Sequence, residues 1–519
     1  MKSTLFTRLK GLIKFLRLPV ITFLFTILFF QFSFSQDVQI MTLKDDQAED
    51  TISRHIYGHF AEHLGRGIYD GIWLEDETGE YNIRMDVVEA LKDIQIPNLR
   101  WPGGCFAEYY FWKDGVGPKE DRPNIVNVMW GGVTEDNSVG THEFMELIEL
   151  LDTESIIVGN VGSGSVQEMA EWWEYINHPG PGPMADLREK HGREDPWNVK
   201  FWGIGNESWG CGGNMRAEFY ADEYRRYQTF LNAYEDVQPY RIAAGAYGED
   251  YEWTEVLMER AGNYMEGLDF HYYIWGGHAT EFEEEEYFQV MRDGRRIEEL
   301  INGHSDIMDK YDPEKRVSLI VGEWGVWLEP MEDTNPRFLH QQNSIRDALV
   351  ASQLLNIFNH NADRVRMANI AQTVNVLQAM ILTEGEQMLL TPTYHVFEFY
   401  NVHHDAVHIP MVFDAGTYEY EGESIPAITA SASKNEDDKI HITMSNLNPD
   451  SERNIEAVLR ESEVSSVSGR ILTADQMTAH NTFENPEVVA PAPFEGANIV
   501  EGRLKIDLPP MSLVVLELE

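Results

Sequence analysis

Between about residues 50 and 385, short apolar β-rich runs alternate with longer stretches whose apolar residues recur every three or four positions. The runs fall at 55–62 (HIYGHFAE), 97–102 (PNLRWP), 155–160 (SIIVGN), 201–207 (FWGIGNE), 241–246 (RIAAGA), 268–274 (LDFHYYI), 317–323 (VSLIVGE) and 365–370 (VRMANI). Helical periodicity marks 85–94, 141–151, 216–234 and 343–358 among the intervening segments. Eight such β/α pairs predict an α/β fold, a (β/α)8 TIM barrel over 51–385, in preference to an open doubly wound sheet. After residue 386 the rhythm changes to short strand candidates at 427–432, 439–445, 454–459 and 512–518, separated by Gly, Pro, Asn and Asp, with no long helix. That pattern predicts a C-terminal antiparallel β-sandwich over 386–519. A further strand candidate at 38–43, in the 36–50 segment, is expected to join that sandwich.

Residues 1–35 stand apart. Five bases and no acid precede or flank a thirteen-residue apolar run at 18–30, and Ser33-Phe34-Ser35 follows. This reads as a signal peptide cut after Ser35, because the run is shorter than the roughly 20 residues that span a bilayer. The expectation is a periplasmic or secreted protein with no stable membrane anchor.

Composition narrows the partners. The 519 residues carry 87 Asp+Glu against 40 Lys+Arg, a formal charge of -47. Such a surface repels phosphate backbones and anionic lipid, which argues against nucleic-acid and peripheral membrane binding. Only 14 of the bases are Lys, and the acid excess suggests a protein kept soluble in salt. At 43% hydrophobic and 12% aromatic the chain has ample material for a folded core. Two cysteines, Cys105 and Cys211, leave a thiolate metal site without ligands; a disulfide between them is allowed but not required.

In a barrel of this kind the C-terminal ends of the strands build the site. They carry Glu62, Trp101 to Cys105, Asn160, Asn206-Glu207, His271-Tyr272-Tyr273 and Glu323. Glu207 and Glu323 end the fourth and seventh apolar runs, where a carboxylate is costly to bury without a task. Two convergent carboxylates suit glycoside hydrolysis: one protonates the leaving oxygen, the other attacks the anomeric carbon or activates water. Trp101, Trp112, Trp209, Trp275 and Trp327 fall in loops expected at the same end, where flat rings can stack on sugars. Other readings are weaker. Gly159, Gly162 and Gly164 match no phosphate-binding pattern, and the Gly-x-Ser-x-Gly elbow of esterases is missing. His403, His404, Asp405 and His408 read as structural rather than as a metal site.

The segments 59–65 (HFAEHLG), 100–106 (RWPGGCF), 202–213 (WGIGNESWGCGG), 322–324 (GEW), 368–376 (ANIAQTVNV) and 508–516 (LPPMSLVVL) resemble the α-L-arabinofuranosidases of glycoside hydrolase family 51, over nearly the whole chain beyond residue 50. The resemblance implies a retaining, exo-acting enzyme that removes terminal α-L-arabinofuranosyl residues from arabinoxylan, arabinan or their oligosaccharides. It makes Glu207 the general acid/base and Glu323 the nucleophile, and it gives substrate contacts to Glu62, Cys105, Asn206, Tyr273 and Gln372, with Gln378 close by as a rival to Gln372. It implies no metal and no cofactor, a neutral arabinose-containing partner, and a homo-oligomer, hexameric in many members. Cys105 stands where some members carry Asn, and Gly325 stands where many have Asn after Glu-Trp. The rivals are a carbohydrate-binding protein without turnover and a barrel glycosidase acting on a xylan or glucan backbone.

Overall fold

In the computed structural model, which describes residues 38–519, eight parallel strands close into a barrel in chain order. They are β1 (Gly58–Phe60), β2 (Asn98–Trp101), β3 (Glu154–Gly159), β4 (Phe201–Ile204), β5 (Tyr240–Tyr247), β6 (Gly267–Trp275), β7 (Ser318–Trp327) and β8 (Val365–Ala371). β8 pairs back onto β1 through Ile370 and His59, which closes the ring. The fold is therefore the (β/α)8 barrel expected from the apolar rhythm. Ile156, Phe201, Ile242, Ile320 and Met367 pack together inside it near the N-terminal ends of the strands. With that layer filled by side chains, the polar strand ends are left to the opposite face.

Two sheets pack beyond the barrel around a second core that includes Met41, Ile428, Ile442, Ile455, Ile506 and Leu516. One sheet has five strands and the other six. The strand Gln39–Leu43 lies in the five-stranded sheet, antiparallel to Met411–Phe413 and parallel to Arg453–Leu459. One parallel pair thus enters an otherwise antiparallel arrangement, because this strand arrives from before the barrel.

The helix Ile345–His360 joins the two parts. It opens with a capping box in which the Ser344 N–H donates to the Asp347 carboxylate at 2.7 Å. All of its residues from Ile345 to Asn359 are buried, so its polar side chains need partners. Ser352 meets Ser445 at 2.6 Å, the Asn359 amide donates to Ser431 at 3.0 Å, and Asn356 accepts from Ser431 at 2.7 Å. The helix Pro392–Tyr400 lies within the region expected to be all β. Its apolar residues pack on nearly every side, which hides the helical period.

Candidate active site

β1 runs into Glu62, which is buried. Its Oε1 accepts N–H bonds from Gly104 at 3.0 Å, Phe106 at 3.0 Å and the Trp130 indole at 2.9 Å. Its Oε2 accepts from the Gln372 amide at 3.1 Å. Burial, with the charge of Glu323 adding to it, pushes the Glu62 carboxyl up to about 7. Gln372 is the residue that reaches this corner. Gln378 is used elsewhere, accepting from the Val326 N–H at 2.9 Å and donating to the Asp347 carbonyl at 2.7 Å.

Arg100, on β2, ties two strand ends together. It donates to Glu323 Oε1 at 2.8 Å and to Asn206 Oδ1 at 2.6 Å, with its guanidinium 4.5 Å from the Phe60 ring centre. The following Trp-Pro-Gly-Gly turn must come close to both carboxylates. A Cβ on Gly104 would sit 2.6 Å from Glu323 Oε1, so only glycine fits there.

β6 supplies His271 and Tyr273. Tyr273 donates its hydroxyl to Glu323 Oε2 at 2.7 Å. His271 Nδ1 lies 2.9 Å from Glu207 Oε1 and 3.5 Å from Glu323 Oε2, while Nε2 lies 3.1 Å from Asp269 Oδ2. Burial opposes a charge on this ring, but Glu323 and Asp269 outweigh it and raise the imidazole to about 10. His271 is therefore a cation at neutral pH, with both nitrogens donating.

That cation splits the two carboxylates. Burial alone would raise Glu323, yet His271 and Arg100, with the Tyr273 hydroxyl, bring it below its ordinary value. Glu207 is raised by burial, which the His271 contact only partly opposes and the charge of Glu323 reinforces. Side-chain exposure follows the same division, 17% for Glu207 against 7% for Glu323. The surroundings thus favour the ionised form of Glu323 and the protonated form of the more exposed Glu207.

Glu207 also has a left-handed backbone, with φ of 41°. A non-glycine residue held there stores about 1–3 kcal/mol, and the surroundings must fix it. Glu108 does so from below. This buried carboxylate accepts the N–H groups of Asn206 at 2.5 Å, Val161 at 2.7 Å and Gly162 at 2.5 Å. Burial pushes it up to about 7 against the pull of those donors. The glycine loop after β3 thus wraps a carboxylate of its own chain, which leaves those amides no role for phosphate.

Cys105 and Cys211 are joined in a disulfide. Their sulfurs lie 3.9 and 3.6 Å from Glu207 Oε2, so the bridge forms a wall beside that carboxylate. Gly325 has φ of 149°, and a Cβ there would lie 3.2 Å from the Ala371 carbonyl oxygen. Side chains are kept out of this position by backbone geometry.

The aromatic expectations divide. Trp101 and Trp112 are buried in a cluster of rings, Trp101 stacked on Phe144 at 4.7 Å and Trp112 on Trp172 at 6.3 Å, and they are not sugar-facing. Trp275 is 59% exposed and lies 5.0 Å from Trp327, whose ring meets Tyr273 edge-on at 5.1 Å. Trp209 pairs with Tyr247 at 5.7 Å. The histidines at 403–408 are occupied separately. His403 bonds Ser433 and Thr443, His404 stacks on Tyr57, Asp405 pairs with Arg54, and His408 meets His360.

A closed barrel with two strand-end carboxylates of opposite electrostatic bias, and the exposed indole of Trp275 packed on Trp327, defines a barrel glycosidase. Known proteins agree. A family model described as "Alpha-L-arabinofuranosidase C-terminal domain" matches residues 322–512, and an "Alpha-L-arabinofuranosidase 1 domain" matches 90–291. An intracellular exo-α-L-arabinofuranosidase of Bacteroides ovatus is 47% identical over 495 residues, 93% of this chain and 96% of that protein. The crystal structure of the GH51 arabinofuranosidase from Xanthomonas axonopodis pv. citri superposes with a TM-score of 0.91 at 46% identity, covering 93% of this chain and all of that one. An arabinose complex of the Thermotoga maritima α-L-arabinofuranosidase gives a TM-score of 0.82 at 31% identity, with coverages of 92% and 99%. The chain belongs to the α-L-arabinofuranosidases of glycoside hydrolase family 51, and it is a glycoside hydrolase.

The expectation of a periplasmic or secreted enzyme is overturned by these relatives. The Bacteroides ovatus protein is named intracellular, as are those of Acetivibrio thermocellus and Bacillus subtilis. The stretch that prompted the expectation, 1–35, lies outside the described residues. A thirteen-residue apolar run beside bases is a compositional pattern, and such a pattern does not by itself distinguish an export signal from an ordinary apolar segment.

Glu108 offers a test of how the site is held. Glu108→Ala leaves the N–H groups of Val161, Gly162 and Asn206 without their acceptor, and the two buried ones, at Val161 and Asn206, cost about 1–3 kcal/mol each. We expect a Tm several degrees lower, and kcat/KM on an aryl α-L-arabinofuranoside reduced by about 10- to 100-fold as Asn206 and Glu207 shift. A variant with wild-type kcat/KM would show that Glu108 does not position them.

Proposed function

We propose that the protein is a retaining, exo-acting α-L-arabinofuranosidase, with its catalytic barrel over 51–385 and its sandwich over 386–519. The observation that carries the retaining reading is distance. Carboxylate oxygens of Glu207 and Glu323 lie within 4.8 Å of each other, with His271 between them. Retaining glycosidases hold their carboxyl groups about 5–5.5 Å apart, and inverting ones leave about 6.5–9.5 Å for a water molecule. Glu323, ionised, attacks the anomeric carbon while Glu207 gives its proton to the leaving oxygen. The glycosidic bond breaks and an arabinosyl ester of Glu323 forms. Glu207, now a base, takes a proton from water, and the water oxygen displaces Glu323 from the same face as the departed group.

Asn206, fixed at Oδ1 by Arg100 and at its backbone N–H by Glu108, directs its amide nitrogen at Cys211 Sγ at 3.9 Å and has a second amide N–H for a ring hydroxyl. Glu62 and Gln372 hold hydroxyls at the pocket floor, Tyr273 orients the nucleophile, and the Cys105–Cys211 bridge borders the sugar. The names of the relatives support arabinose-containing glycans as the substrate class. Proton NMR of the first product from an aryl α-L-arabinofuranoside tests the stereochemistry. The α-anomer is expected to appear first; initial release of the β-anomer would rule out double displacement.

The His271 cation makes a second test. It lowers both carboxylates, so His271→Gln should raise both. Activity is lost on the acid side as Glu323 takes up a proton, and on the alkaline side as Glu207 gives one up. Both limbs of the kcat/KM profile are therefore expected to move to higher pH. Unmoved limbs would show that His271 does not set the two acidities.

A further inference from the structure

The N-terminal end of the barrel, opposite the carboxylates, opens into a cavity of about 920 Å³. Its wall comes from the first residues of successive strands: Lys200 and Phe201 at β4, Tyr240 and Arg241 at β5, Glu266 just before β6, Lys315 and Arg316 before β7, and Arg366 near the start of β8. Five of the nineteen lining residues are Lys or Arg and one is an acid, although acids outnumber bases 87 to 40 in the chain. Gathering cations in one hollow of so acidic a protein costs mutual repulsion, which an anion would relieve.

Three of the five are already paired. Arg241 holds Glu266 at 2.7 Å, Lys200 holds Glu154 at 2.8 Å, and Lys315 pairs with Asp363. Arg316 and Arg366 differ. Arg316 is 50% exposed at its side chain and comes no nearer than 3.9 Å to Asp312, a carboxylate that Arg364 and the Val317 N–H already engage. It also donates to the carbonyls of Gly262 at 3.1 Å and Met265 at 3.4 Å. Arg366 donates to the Asp363 carbonyl at 3.2 Å and, among the described residues, makes no ion pair. Each guanidinium has five N–H donors in a planar fork suited to an oxyanion. The partly exposed Tyr240 ring, packed edge-on against the buried Phe201 at 5.2 Å, lines the same cavity and gives an apolar face for the rest of a ligand.

We propose that this cavity is a second ligand site, for a small molecule with an oxyanion head group that Arg316 and Arg366 grip. Phosphate is the head group that best matches two forks, and the carboxylate of an acidic sugar is the other source of the same chemistry. The site lies at the end of the barrel that does not carry the reaction, so occupancy is expected to change stability and leave turnover untouched.

Thermal unfolding of the whole protein with sodium pyrophosphate or digalacturonate, each against sodium chloride at equal ionic strength, tests it. At least one of the two is expected to give a saturable rise in Tm of about 2 °C or more that chloride does not reproduce. The stronger of the two identifies the head group. Arg316→Ala combined with Arg366→Ala should weaken that binding about 10- to 100-fold with unchanged hydrolysis of an aryl arabinofuranoside, which also reports that the variant is folded. Arg366→Lys, which keeps the charge and loses the fork, should weaken it as well. A Tm rise that chloride matches, the failure of both anions to bind, or variants that bind like the wild type would overturn the proposal.

Discussion

Glu323→Gln is expected to lower kcat on an aryl α-L-arabinofuranoside by about 10⁴-fold or more, with KM for the residual activity of little meaning. The size follows from the nucleophile's role proposed for Glu323. Without a carboxylate 4.8 Å or less from Glu207, nothing can form the ester that divides the reaction into two displacements. The amide is the instructive replacement. It keeps an oxygen for Arg100, which now donates to Oε1 at 2.8 Å, and its NH2 can donate to the Tyr273 hydroxyl, which now donates to Oε2 at 2.7 Å, and so preserves most of the packing. Both replacements remove the counter-charge of Arg100 and His271, but Glu323→Ala also deletes the hydrogen-bonding group and leaves a void, so lost activity would mix with a larger loss of stability. A folded Glu323→Gln enzyme retaining a hundredth or more of wild-type kcat would remove Glu323 from the nucleophile's position.

The parts of the molecule that could be read in the chain are those where one physical rule dominates. Strands β1 to β8 are largely buried, so they appear as mainly apolar runs, and each observed strand lies within or close to its expected run. The two carboxylates stood out because they interrupt such runs. What could not be read depends on partners distant in sequence. Glu108 sits in an unremarkable Phe-Ala-Glu-Tyr segment, and its task appears only when β3 and β4 bring Val161, Gly162 and Asn206 around it. Trp130 reaches Glu62 from a loop 68 residues away. His271 was visible as a strand-end residue, but its charge comes from being enclosed by Asp269, Glu207 and Glu323. Trp101 and Trp112 misled for the converse reason. An indole near a strand end serves a sugar or a core equally well, and the neighbouring Phe144 and Trp172 decide it. The helix Ile345–His360 was legible at 343–358 from its apolar spacing, but the role of its polar residues was not, because their partners come from the sandwich strands.

The same enclosure makes the outcome for Glu207 differ in kind from that for Glu323. Glu207→Ala leaves the nucleophile and its cations in place, so the ester can still form wherever the leaving group departs without a proton. Hydrolysis of an unactivated arabino-oligosaccharide is expected to fall by about 10³- to 10⁴-fold, near the upper end for loss of a general acid. A dinitrophenyl arabinofuranoside should lose far less in the first step and then stall as the ester, because no base remains to activate water. Azide, which needs no such base, should restore turnover and release an arabinosyl azide of retained configuration. The alkaline limb of the pH profile should vanish with the group that causes it. On the proposed mechanism, wild-type activity falls as pH rises through the raised Glu207 pKa, whereas the variant has no proton there to lose. An equal loss on activated and unactivated substrates, with no azide product, would mean that Glu207 supports the fold or the sugar rather than the proton transfer.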